Sequence, residues 1–180
     1  MTNKLNILGF NGSASQNSSN LAILKYVAEL GQANFDLTII DDLTALPHFK
    51  TELTDHNVPE KIIEFRSQIE QADGVIICTP EYVFSIPSGL KNAIEWCVST
   101  VVFSDKPIGL ITASASGQKG HDELQLIMKT LQTVFTPETT LLIQGVKGKI
   151  NNDGMVQDDQ TKNQLEQFVH SFIELIGTNN

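Results

Sequence analysis

The stretch of sequence that decides the fold reads GVIIC at residues 74–78 and TPEYVFSIPSGLKNAIEW at residues 79–96. The first segment is a short apolar run bounded by Gly74 and Pro80, which is typical of a strand buried on both faces. The order of patterns predicts a buried strand, a proline-containing loop and then a helix. The helix is indicated by apolar residues with helical spacing at Leu90, Ala93, Ile94, Cys97, Val98 and Val101.

The loop between this strand and this helix has features that suit a ligand site. It contains an aromatic residue, Tyr82, and its backbone is restricted by Pro80 and Pro87. Ligands of open parallel sheets bind at the carboxyl ends of the strands, where the strand order reverses. Because a rigid loop loses little entropy when a ligand docks, we expect this loop to hold a flat heterocyclic ring.

Strand and helix patterns alternate along the whole chain. Strands are predicted at residues 5–10, 35–41, 74–78, 108–112 and 140–146, and a helical pattern follows each of them. Such alternation predicts parallel strands with right-handed crossovers and helices on both faces. The expected fold class is α/β, a doubly wound five-stranded parallel sheet with the strand order 2-1-3-4-5. The chain length predicts one domain over residues 1–180, and residues 43–59 are predicted to be a surface loop.

A second polar loop follows the first predicted strand, at residues 12–20, which read GSASQNSSN. Hydroxyl groups, backbone N–H groups and the start of a helix together form an anion site, so the loop predicts phosphate binding. A simpler alternative is that Ser18 or Asn17 merely caps the helix, which would account for one such residue and not for the whole loop. The candidate phosphate ligands are Ser13, Ser15, Asn17, Ser18, Ser19 and Asn20.

Both loops resemble those of a known family, the NAD(P)H-dependent FMN reductases, which are flavodoxin-like. Residues 80–96 resemble that family's segment Pro-Glu-Tyr-Asn-x-Ser-x-Pro-x-x-Leu-Lys-Asn-Ala-x-Asp-Trp, and residues 12–20 resemble its phosphate loop Gly-Ser-x-Arg-x-x-Ser-x-Asn. A weaker match lies at residues 115–117 and at Gly120. The resemblance covers most of the chain. It departs from the family pattern at Ser15, where the family has arginine, and at Val83, where it has asparagine.

The resemblance implies bound FMN, with NADPH or NADH as co-substrate and a quinone, an azo compound or free flavin as the acceptor. It places the flavin ring against Pro80, Glu81, Tyr82 and Val83, with Ser114, Ser116 and Gly117 as the opposite wall. It also implies a homodimer or homotetramer, built partly from the helix after Ser88. Trp96, on that helix, is expected in the core or in an interface.

Composition excludes several other classes of protein. The net charge of −9 disfavours nucleic-acid binding, which depends on neutralising phosphates. No apolar run has the length of a membrane span, and Met1–Lys4 leads directly into a strand, so neither a membrane segment nor a signal peptide is expected. Cys78 and Cys97 are too few and too far apart for a disulfide framework or a zinc site. A cytoplasmic location and no bound metal are therefore expected.

The chain contains no motif for acid–base, nucleophilic or metal catalysis. This pattern agrees with flavin chemistry, in which the ring itself accepts and donates hydride, so no catalytic side chain is assigned. Two other classes remain as alternatives. A flavodoxin-type electron carrier with protein partners would use the same fold and a similar phosphate loop. A phosphoacceptor signalling domain would need an aspartate at the end of the third strand, where Cys78 and Thr79 stand.

Overall fold

The computed structural model describes residues 4–15, 17–151 and 153–179. The prediction about the first residues, Met1–Asn3, and the place of Gln16 in the polar loop lie outside the described residues. The strands are β1 (Leu5–Asn11), β2 (Phe35–Ile40), β3 (Gly74–Thr79), β4 (Ile108–Ser114) and β5 (Thr140–Gln144). The helices are α1 (Ser19–Gly31), α2 (Glu60–Gln71), α3 (Ser88–Glu95), α4 (Gln118–Thr130) and α5 (Asp159–Asn179).

All five strands are parallel and lie in the order β2-β1-β3-β4-β5, so the predicted sheet is confirmed. The register brings the carboxyl ends of the central strands together. Asn11 at the end of β1 lies beside Cys78 of β3, and Thr79 of β3 lies beside Thr112 of β4. The loops that follow β1, β3 and β4 therefore begin at one edge of the sheet.

Two apolar layers cover the two faces of the sheet. Val75 and Ile77 of β3 pack in the layer that contains residues of α2, α3 and α4. Ile76 and Cys78, the alternate residues of the same strand, pack in the layer that contains residues of α1 and α5. Every residue of β3 is buried, as expected for a central strand between two helical layers.

The helix after Ser88 is shorter than its apolar spacing predicts, because it ends at Glu95 rather than continuing to Val101. The backbone carbonyl of Trp96 accepts hydrogen bonds from the guanidinium of Arg66, with Nε at 2.8 Å, instead of continuing the helical pattern. Of the following apolar residues, Cys97 and Val98 lie in a turn and Val101 lies in irregular structure. Apolar spacing alone could not detect this end, where the Trp96 carbonyl is bonded to an arginine from α2.

The side chain of Trp96 is fully buried, which agrees with the expected core position. Its indole N–H donates to the carbonyl of Pro47 at 2.7 Å, and its ring meets Phe49 edge-on with ring centres 5.3 Å apart. Residues 43–59 are therefore more than a surface loop. They include two short 3-10 helices, and part of the segment covers the end of α3.

Candidate functional site

The loop after β1 (residues 12–18, the β1 loop) is organised by one buried side chain, Asn11. Its Oδ1 accepts from the backbone N–H of Ser13 at 3.2 Å and from the hydroxyl of Ser18 at 3.3 Å. Its Nδ2 donates to a carboxylate oxygen of Asp41 at 2.7 Å. Asn11 therefore fixes both ends of the loop. Sequence analysis did not select it, although a polar residue at the end of an apolar strand is a usable signal.

Ser18 caps helix α1, because its hydroxyl accepts the backbone N–H of Leu21 at 3.0 Å. The capping alternative thus describes part of what Ser18 does. The first N–H groups of a helix have no partner within the helix, and they carry the positive end of its dipole. The hydroxyl-rich loop therefore leads to a helix start that favours an anion.

The β1 loop packs at Gly12 against the end of β3, immediately before the loop that follows β3 (residues 80–87, the β3 loop). The backbone N–H of Gly12 donates to the carbonyl of Cys78 at 2.8 Å. A Cβ at this position would lie 2.4 Å from Oγ1 of Thr79, the residue before the β3 loop. Glycine is therefore required by close packing, which keeps the two loops side by side.

A cavity of about 370 Å³ (the loop cavity) lies between these loops. It brings together nine of the thirteen predicted site residues. These are Ser13, Ser15, Asn17, Ser18, Ser19, Asn20, Pro80, Tyr82 and Ser114. Five further lining residues were not predicted. These are Ala113, Ala115, Gly145, Val146 and Lys147.

The other four predicted residues, Glu81, Val83, Ser116 and Gly117, do not line the loop cavity. Glu81 accepts the backbone N–H of Gly120 at 2.8 Å, so it fastens the β3 loop to the start of α4. Gly117 is a left-handed residue with φ of 90°, immediately before α4. Val83 is 94% exposed at the tip of the β3 loop. Contact between these residues and a flavin ring remains a prediction.

Tyr82 links the predicted phosphate site at the β1 loop with the predicted ring site at the β3 loop. Its hydroxyl lies 3.4 Å from Oγ of Ser13, and its side chain lines the loop cavity while remaining 41% exposed. A ligand that reaches from the β1 loop to the β3 loop would pass this tyrosine.

Lys147 supplies a cation near the β1 loop, where the sequence had indicated none. It lines the loop cavity and also a neighbouring cavity of about 580 Å³, and the two cavities share Asn17, Ser18 and Ser19. The lysine comes from the short 3-10 helix Val146–Gly148 after β5, more than a hundred residues from the loop. Its role could not be found by reading the loop sequence.

Two titratable residues near the site have structural contacts. His121 is buried beside β4, with Nδ1 2.9 Å from Oγ1 of Thr112, and burial lowers its pKa. It is therefore a buried residue with a structural contact, and it does not line the loop cavity. Burial raises the pKa of Cys78, whose thiol donates to Oδ1 of Asn20 at 3.3 Å. Asn20 also donates to the carbonyl of Ala113 at 3.3 Å, and so joins α1 to β3 and β4.

Among the described residues, no cluster of histidine, cysteine, aspartate or glutamate could hold a metal ion. Within the same ranges, no helix is both long and apolar enough to cross a membrane.

Similarity to known proteins agrees with this geometry. The family described as NADPH-dependent FMN reductase matches residues 5–147. The subunit CrdA of the NADH:(hydroxy)cinnamate reductase of Vibrio ruber is 30% identical over 176 residues, which cover 94% of this chain and 86% of that protein. The quinone reductase of Escherichia coli is 26% identical over 183 residues, which cover 98% of this chain and 97% of that protein.

Solved structures show the same relationship. The flavoenzyme NAD(P)H:(acceptor) oxidoreductase FerB of Paracoccus denitrificans superposes with a TM-score of 0.85 at 25% identity, covering 97% of this chain and 98% of that chain. A flavodoxin-type, WrbA-like protein of Agrobacterium tumefaciens, at 14% identity and a TM-score of 0.68, shows the fold alone. These matches confirm the predicted fold, the FMN cofactor with NAD(P)H, and the oxidoreductase class. The chain belongs to the NADPH-dependent FMN reductase family, a family of flavodoxin-like oxidoreductases.

Proposed function

We propose that one FMN binds in the loop cavity and carries hydride from NADPH or NADH to a small acceptor such as a quinone, an azo compound or free flavin. The observation that carries this proposal is the composition of the cavity wall. A hydroxyl-rich loop at a helix start and a rigid aromatic loop line one continuous space.

The residues of the cavity suit the two ends of FMN. The phosphate would lie at the start of α1, near Ser13, Ser15 and Ser19, where N–H and hydroxyl donors are available. The ring would lie towards Pro80 and Tyr82. The absence of a Cβ at Gly12 keeps these two ends close, because any larger residue would displace Thr79.

Bound flavin supplies the hydride chemistry, and the protein binds and orients it. Asn11 and Ser18 hold the β1 loop in a conformation that can accept a phosphate. Glu81 holds the β3 loop against α4, which limits movement of the ring site. This division of roles agrees with the lack of an assigned catalytic side chain.

Steady oxidation of NADPH by the purified flavin-loaded protein tests the proposed activity. We expect continuous turnover with a quinone acceptor, followed at the nicotinamide absorbance, and no turnover with the flavin-free protein. A flavodoxin-type electron carrier would bind FMN and yet fail to oxidise NADPH continuously. That result would favour the alternative function.

Ser13 and Ser18 are expected to differ when each is replaced by alanine. Both changes should weaken FMN binding by about 1–3 kcal/mol, the range for a lost hydrogen bond to a charged group. Ser18→Ala should also lower the free energy of unfolding by about 1 kcal/mol, because it removes the cap of α1. Titration with FMN and riboflavin and thermal unfolding measure these effects. Equal weakening of both flavins by Ser13→Ala would contradict a phosphate contact.

Lys147→Met should weaken FMN binding about fivefold at low salt, because it removes a cation from the cavity that holds the phosphate. We expect a modest effect since the lysine is exposed and its charge is screened. Riboflavin, which has no phosphate, should bind equally to both proteins. Lys25→Met is the matched control, since Lys25 lines the neighbouring cavity and not the loop cavity. An unchanged ratio of FMN to riboflavin affinity in Lys147→Met would contradict this role.

We also propose a homodimer or homotetramer. The proposal is supported by Val98 and Val101, which follow α3 and are 61% and 79% exposed. Trp96 cannot test it, because a substitution of this buried residue would damage the core. Val101→Glu is the better probe, with molar mass from light scattering as the measurement. A monomeric wild-type protein with full flavin content would overturn the proposal.

A cytoplasmic location is likewise proposed. It is supported by Cys78 and Cys97, which are both buried free thiols and suit a reducing compartment.

A further inference from the structure

The tip of the β3 loop is a two-residue hairpin turn with an unusual sequence. Tyr82 and Ser85 exchange two backbone hydrogen bonds, at 2.9 and 3.0 Å, and Val83 and Phe84 occupy the turn between them. Both turn residues have positive φ, 53° for Val83 and 60° for Phe84. Turns of this kind strongly prefer asparagine and glycine, because a left-handed backbone crowds a side chain.

The backbone of the turn is therefore strained, because neither valine nor phenylalanine is favoured at positive φ. The strain is greatest at Val83. A β-branched residue with positive φ is a true outlier, and such outliers persist where the surrounding structure enforces them. The residues on both sides of this turn are held by the start of α4. Glu81 accepts the N–H of Gly120, and a Cβ on Gly120 would lie 3.3 Å from the carbonyl oxygen of Ser85. The turn is thus fixed against the start of α4.

The strained residues do not contribute to the core. Val83 is 94% exposed and Phe84 is 75% exposed, although both are apolar. Tyr82, the residue just before them, lines the loop cavity. The fold therefore holds an aromatic and an aliphatic side chain in solvent beside the flavin site, at a cost in stability that asparagine and glycine would avoid.

We infer that Val83 and Phe84 form an apolar lip (the acceptor lip) that contacts planar apolar quinones as they approach the flavin. The inference rests on the proposed function, because it names the acceptor class of that site. In the reaction, NAD(P)H loses a hydride, and the quinone gains that hydride and a proton from water to become a hydroquinone. A quinone fits the lip better than the nicotinamide does, because NAD(P)H is polar and carries negative charges.

A contact between two copies of the chain is the competing explanation of the lip, since a homo-oligomer is also proposed. Two side chains at the tip of a turn provide far less than the roughly 1,200 Å² that stable protein interfaces bury in total. They would need further apolar surface, such as that of Val98 and Val101, to form an interface, whereas a small planar molecule can be contacted by two side chains alone.

The test is the single variant Phe84→Gly in the flavin-loaded protein, which gives the second turn position a preferred residue and leaves Val83, a predicted flavin contact, in place. We expect its thermal midpoint to rise by roughly 2–4 °C, because the backbone strain at one of the two turn residues is removed. We expect kcat/KM for 1,4-naphthoquinone to fall about tenfold, because apolar contact is lost. The values of kcat/KM for NADPH and for ferricyanide, a hydrophilic acceptor, should remain within twofold.

Three controls make the outcome decisive. Phe84→Tyr keeps an aromatic ring and should retain the naphthoquinone kcat/KM. Ile63→Gln removes an exposed apolar residue from α2, away from the cavity, and should change nothing. Ferricyanide turnover by the wild-type protein tests the proposed function separately, since it requires no lip.

The inference is overturned if Phe84→Gly becomes more stable while its naphthoquinone kcat/KM stays unchanged. It is also overturned if all acceptors and NADPH are affected equally, which would assign the turn to flavin binding. A change in molar mass of the variant by light scattering would assign the turn to an interface between copies.

Discussion

Replacing Asn11 with alanine should lower the free energy of unfolding by about 3–5 kcal/mol and weaken FMN binding about a hundredfold. The loss is large because Asn11 is buried and bonded to three partners. Alanine would leave the N–H of Ser13, the hydroxyl of Ser18 and the carboxylate of Asp41 without this bridge. The β1 loop would then have to be ordered by the flavin itself, which reduces affinity.

Denaturant unfolding and FMN titration measure these two losses. Asn6→Ala is the matched control, since Asn6 lies on the same strand and its side chain is exposed. That variant should differ from wild type by less than about 0.5 kcal/mol. Asn11→Asp keeps the acceptor oxygen but places a second carboxylate beside Asp41, so it should also be destabilising at neutral pH and recover as the pH falls. An Asn11→Ala variant with wild-type stability would show that the β1 loop does not need the hydrogen bonds of Asn11.

Gly12→Ala should be the second severe change, with a loss of about 3 kcal/mol in stability and most of the FMN affinity. The added Cβ would lie 2.4 Å from Oγ1 and 2.7 Å from Cβ of Thr79, and 3.1 Å from Cδ2 of Leu90. Thr79 is fully buried, so it cannot swing away. The β1 and β3 loops would be forced apart, and both ends of the flavin site would be displaced.

Thermal unfolding should show a decrease of roughly 6–12 °C for Gly12→Ala. The double variant Gly12→Ala/Thr79→Ala should recover part of the loss, because it removes the nearest clashing atom. Gly177→Ala is the control. Gly177 lies within α5 with open space around its Cα, so alanine there should be neutral or slightly stabilising. Equal behaviour of Gly12→Ala and Gly177→Ala would contradict the packing described here.

The sheet could be predicted from the sequence because its information is local and periodic. The apolar run at β3, bounded by Gly74 and Pro80, can form little else than a buried strand. The polar loop after β1 was equally readable, since a row of serines between a strand and a helix suits an anion. The strand order followed from the match of five such units to the flavodoxin-like order.

What could not be predicted depends on contacts between distant residues. Lys147 lines the same cavity as the β1 loop although it follows β5 in the chain, so the loop sequence, which lacks the family's arginine, showed no nearby cation. Arg66 of α2 binds the Trp96 carbonyl, where α3 ends early. Val83 was assigned to the ring by its place in a motif, and that motif could not show its left-handed backbone or its exposure.

The central claim is that the β1 loop and the start of α1 hold the phosphate of FMN. It is tested most directly by titrating the flavin-free protein with FMN and with riboflavin, which differ by that phosphate alone. We predict one FMN per chain, with riboflavin binding at least about tenfold more weakly, as expected for lost hydrogen bonds to a charged group. Equal affinity for the two flavins would contradict the claim.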